Sequence, residues 1–113
     1  MASFKIGVAA VTKTISIHRP GFEPEEFTAE IRVRSIDEQE EIEQKRRDGE
    51  IKDLKHIRGD ILSVSGIVDA EDKPVESNTA LIDSVFNDPY AHLALCRAWG
   101  EVQRGVQEET AKN

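Results

Sequence analysis

The chain has 113 residues, 15 of them Lys or Arg and 22 Asp or Glu, for a net charge of −7. Such an acidic balance argues against a nucleic-acid binder, whose affinity comes largely from Lys and Arg set against phosphates. One domain is the natural count at this length, its core can form without metal or disulfides, and a lone Cys96 excludes an internal disulfide and fits a reducing cytoplasm.

Residues 1–10 carry Phe4, Ile6 and Val8 in alternation, as either a strand or an apolar arm. The apolar stretch from Ile6 to Val11 is too short for a signal peptide with its cleavage site. No run approaches the ~20 apolar residues of a membrane span.

From residue 11 to 19 the alternation is firmer. Val11, Ile15 and Ile17 point one way and Thr12, Thr14, Ser16 and His18 the other, which predicts a half-buried strand whose apolar face Lys13 interrupts, as an edge position tolerates. Pro20-Gly21 and Pro24 predict an exposed loop carrying Phe22. Phe27, Ala29, Ile31 and Val33 then alternate with Thr28, Glu30, Arg32 and Arg34, a second strand antiparallel to the first. A two-stranded ribbon is marginal in water, so the helices that follow have to cover it.

Ser35-Ile36-Asp37-Glu38 matches a capping box and opens a helix. Its body is nearly all charged, with Glu41 to Lys45 and Glu43 to Arg47 spaced for i,i+4 pairs, and Ile36 and Ile42 alone give it little to bury. Lys45-Arg46-Arg47 reads as a solvated face, because flanking acids neutralise it. After a break at Asp48-Gly49, the three- and four-residue steps through Leu54, Ile57, Ile61, Leu62 and Val64 predict a core helix ended by Gly66. Ile67-Val68, an acidic turn and Lys73-Pro74-Val75 form a short excursion and return.

The stretch 76–105 predicts two helices in tandem. Ser77 or Asn78 caps the first, whose apolar positions are Leu81, Ile82, Val85 and Phe86. Asp88 caps the second, with Pro89 at its first position, and Leu93, Cys96, Trp99 and Val102 form its stripe, flanked by Leu95 and Val106. Residues 107–113 carry no apolar period and are expected to fray. Together these elements predict an α+β fold, an antiparallel β-hairpin near the N-terminus packed against a C-terminal set of about four helices.

No catalytic signature stands out, and the chain is expected not to be an enzyme. His92 and Cys96 sit four apart, but a nucleophile needs an orienting third group and an oxyanion hole, and zinc needs three or four ligands. A packed thiol beside a surface imidazole is the simpler reading, and His56 with Asp60 has still less in its favour. Trp99 suits a buried stripe, with partner contact the second reading. Val102 and Val106, near the end of the last helix, and Phe22, alone in its loop, are the candidates for exposed apolar contact.

From Gly59 to Gly105 the chain resembles the tail assembly chaperones of long-tailed phages. The likeness rests on Gly59-Asp60-Ile61-Leu62, Gly66-Ile67-Val68-Asp69, Lys73-Pro74-Val75, Ser77-Asn78, Leu81-Ile82, Asp88-Pro89-Tyr90 and Ala98-Trp99, preceded by a hairpin and an acidic helix in similar order. It departs at Ser65, where the family usually has an aromatic residue. The resemblance implies a protein of the host cytoplasm that binds the tape measure protein and tail tube protein, with no nucleic acid, membrane or cofactor, and self-association left open. The alternative is a structural tail or head-completion protein retained in the virion.

Overall fold

A computed structural model describes residues 2–51 and 54–105. Strand β1 (Ala10–Ile17) and strand β2 (Glu25–Arg32) form an antiparallel hairpin, followed by helix α1 (Ile36–Arg47), helix α2 (Lys55–Asp60), strand β3 (Ile61–Ser65), helix α3 (Thr79–Phe86) and helix α4 (Pro89–Arg104). The sheet has three strands in the order β1-β2-β3, every neighbour antiparallel. The α+β prediction holds: a hairpin near the N-terminus packs against helices, four of them among the described residues.

One sheet face makes the core. Ile15 and Ile17 from β1, Phe27, Ala29 and Ile31 from β2 and Ile61 and Val64 from β3 are buried beneath Ile82 of α3 and Ala91, Leu95 and Ala98 of α4. Alternation along β1 and β2 puts these residues on one side, as the period-two pattern requires. Residues 2–9 form no strand, so of the two readings of the N-terminus the arm is the one found, with Phe4 89% and Ile6 86% exposed.

The predicted core helix through Leu54 to Val64 is corrected. Among the described residues of this stretch Lys55–Asp60 is the helical part, and Ile61 onward is strand β3 on the free edge of β2. The helix-like spacing has a physical cause: the register shifts at Glu30/Ile31, where Ser63 pairs with Glu30 but Ile61 with Ile31. That bulge puts an extra residue, Leu62, on β3, so Ile61 and Val64 both face the core three residues apart. Gly66 ends β3 rather than a helix, with φ of 87° supplying the left-handed turn.

Local signals are realised as read. Ser35 and Glu38 form the reciprocal capping box, Asn78 caps α3, and Asp88 caps α4 with Pro89 in its first turn. Ser77, the other candidate cap, instead accepts from the Val64 amide at 3.0 Å and so ties the approach to α3 onto β3. Residues 67–75 make a small return, with Val68 bridged to Pro74 and Asp72 in the left-handed region at φ 63°.

Two further positions are corrected. On α4 the buried line is Ala91, Leu95 and Ala98, while Leu93 is 64% exposed. The stripe is rotated because the small alanines let the helix sit close on the sheet. Lys13 does not spoil the apolar face but is buried in it, its ammonium 3.2 Å from Glu101 on α4 and its backbone opposite the small Ala29. On α1, Glu43 pairs with Arg46 at 3.6 Å, Arg47 donates to Gln44 and Gln44 donates to Asp48, so contacts at i,i+3 and i,i+4 both occur.

Candidate functional site

The feature best suited to engage another molecule is a groove of about 460 Å³ at the Ile17–Glu25 end of the sheet. Ile17 and Phe27 line it from the hairpin, Gly66 to Val68 from the segment after β3, and Leu81 and Val85 from α3. Its making is local. The left-handed Gly66 swings the chain away from β3 and lies over Phe27, where a Cβ would stand 3.6 Å from the Phe27 Cα. Asn78, accepting from the Leu81 amide at 2.8 Å, sets where α3 begins and so aims Leu81 and Val85 inward. The rim is charged, with Glu25, Glu26 and Asp88 against Arg19. Arg19 pairs with Glu25 at 3.0 Å and lies over the ring of Phe22, which is 68% exposed beside the groove.

The most connected polar cluster lies elsewhere. Asp60, closing α2 and 1% exposed, accepts from Arg34 Nε at 2.7 Å, Arg34 Nη2 at 2.9 Å and Trp99 Nε1 at 2.8 Å. Donating to the Asp60 carboxylate holds the Arg34 guanidinium above even its ordinary high pKa. His56 meets the Trp99 ring edge to face at 5.3 Å. Beside them Gln103 acts as a strand partner: its side-chain amide donates to the Arg32 carbonyl at 2.7 Å and accepts from the Arg34 amide at 2.9 Å. Gln39 on α1 donates to the carbonyls of Arg34 and Gln103, both at 3.0 Å. This cluster joins elements together, and three of its members, Gln39, Trp99 and Gln103, also line a second recess of about 400 Å³ between α1 and α4.

The His92–Cys96 pair is made. His92 Nδ1 lies 2.9 Å from the Phe86 carbonyl, which can only accept, so Nδ1 carries the proton and Nε2 faces Cys96 Sγ at 3.6 Å. Burial pushes the Cys96 thiol above its ordinary pKa, the opposite of what a nucleophilic thiolate needs. Among the described residues no group of three or more His, Cys, Asp or Glu is placed to hold a metal ion. None of their helices is long and apolar enough to cross a membrane.

Three of the four sequence candidates lie among the described residues, and the structure does not gather them all into one surface. Phe22 is exposed at the groove's edge. Trp99 is half-buried against the core with its indole nitrogen bonded to Asp60. Val102 is partly buried, packed against the same core. Val106 lies outside the described residues, as does the tail 107–113. The groove itself was missed, since its walls come from segments far apart in the chain and only Gly66 and the paired apolar residues of α3 signalled it.

What fold and groove define is a small α+β protein with a three-stranded antiparallel sheet and an apolar recess at one end. No family model matches the chain, and no curated protein or solved structure matches it either.

Proposed function

We propose that the chain is a tail assembly chaperone of a phage or prophage that binds the tape measure protein and keeps it soluble until the tail tube forms. The observation that carries the reading is the apolar groove between the hairpin end and α3, and the resemblance over Gly59 to Gly105 supports it. A long amphipathic helix without its partners aggregates through its apolar face. A groove lined by Ile17, Phe27, Leu81 and Val85 accepts anchors from such a helix at i, i+3 or i+4 and i+7.

At about 460 Å³ the recess takes a few side chains, not a whole helix. Each contact is therefore modest, and a rod is covered by repetition along its length. Modest contacts also let polymerising tail tube protein displace the chaperone.

Co-expression with the tape measure protein of the same genome tests this. The native chain is expected to bring the rod into the soluble fraction. Ser84→Trp, which fills the groove from an exposed α3 position, is expected to leave it in the pellet. Rod solubility unaffected by that substitution would remove the groove from the reading. Mass spectrometry of finished particles separates the alternative, because a chaperone is absent from them and a structural tail or head-completion protein is present.

A further inference from the structure

We propose that the same groove receives residues 2–9 of a second copy of this chain, so that two copies hold one another reciprocally. The arm brings Phe4, Ile6 and Val8, all left exposed in their own molecule. Apolar side chains this close in sequence and this bare are a surface awaiting cover.

Charge favours this occupant. The arm carries Lys5, and the first acidic residue of the chain is Glu23. The groove rim is acidic: Glu25 is taken by Arg19 and Asp88 caps α4, which leaves the exposed Glu26 as the carboxylate for Lys5. In a chain of net charge −7, a basic apolar arm is the segment whose docking there adds attraction rather than repulsion.

Reach decides which copy supplies it. The arm enters β1 at Ala10, whereas the groove lies at Ile17, the other end of the strand. Crossing that strand takes ~23 Å at roughly 3.3 Å per residue. Phe4, six residues before Ala10, extends at most about 20 Å, and Ile6 and Val8 fall further short. A molecule cannot seat all three in its own groove. A neighbour can, and exchange in both directions gives a closed two-fold pair.

This pairing needs no client. Where the client reading also holds, the arm competes with the tape measure helix for one recess, a consequence that rests on that reading.

Sedimentation of the purified full chain alone, from micromolar to millimolar concentration, tests the pairing. The native chain is expected to pass from monomer to dimer. Phe4→Asp with Ile6→Asp, and separately Ser84→Trp, are each expected to raise the dimer dissociation constant at least ~10-fold, the effect of about one large apolar side chain. Lys5→Glu is expected to weaken the dimer most at low salt. Mixing the arm variant with the Ser84→Trp variant restores one arm-and-groove contact, so a mixed dimer is expected where neither variant pairs with itself. Circular dichroism of each variant establishes that it is folded. A native chain that stays monomeric throughout, a dimer indifferent to the arm or groove substitutions, or a mixture that forms no mixed dimer would each overturn the proposal. None of these readings involves the tape measure protein, so failure here is distinct from failure of the client reading.

Discussion

At the scale of single residues, Asp60 joins the most. Its carboxylate unites the segment between β2 and α1 through Arg34, α2 on which it sits, and α4 through Trp99. Removing one member of a buried hydrogen-bonded ion pair leaves the other's charge and donors uncompensated. Asp60→Ala is therefore expected to cost about 3 kcal/mol, the low end of the range because Arg34 keeps some access to water. Urea denaturation followed by Trp99 fluorescence measures the loss and reports the freed indole directly. Lys13 and Glu101 behave asymmetrically, since Lys13 is the buried partner. Lys13→Met keeps the volume and removes the desolvated charge, so it is expected to be neutral or stabilising, while Glu101→Gln strands the ammonium and lowers the urea midpoint.

At the scale of elements, α1 depends on its ends. It buries no residue, and its capping box joins the Ser35 amide to Glu38 Oε1 at 2.9 Å and the Glu38 amide to Ser35 Oγ at 3.1 Å. The Ser35 amide holds the Glu38 carboxyl below its ordinary pKa, with Arg32 and Arg34 adding to the effect. A lowered native pKa gives stabilisation that is present above the unfolded value and lost as pH falls through the native one. The cap of α1 is thus expected to open on acidification below the usual Glu range of ~4.3. The pH dependence of the Ser35 amide resonance measures it, and a midpoint at or above that value would contradict the assignment.

Legibility follows the range of the interaction. Caps at Ser35, Asn78 and Asp88 and the alternation of β1 and β2 are set by neighbours in sequence, and they were readable. Strand β3 was not, because its bulge gives Ile61 and Val64 a helical spacing that only the edge of β2 can explain. Lys13 and Gln103 were misread or passed over for the same reason: each is a polar residue made acceptable inside by a partner distant in the chain. The groove is likewise a product of assembly, drawn from the hairpin, the turn at Gly66 and α3.

At the scale of the whole molecule, one side is sheet covered by α3 and α4, and α1 lies outside that core. Its ties to the body include two hydrogen bonds from Gln39 and an exposed pair between Glu38 and Arg32. None of its residues is buried, so its opening is governed by a far smaller free energy than global unfolding. Lys45, Arg46 and Arg47 stand at its end. Brief trypsin treatment under native conditions is therefore expected to nick the chain there first. The cut falls between β2 and β3, whose ladder spans it, so the two pieces should elute together on gel filtration and part only in denaturant. The chain is in this sense already divided, along a seam that its own backbone pairing stitches shut.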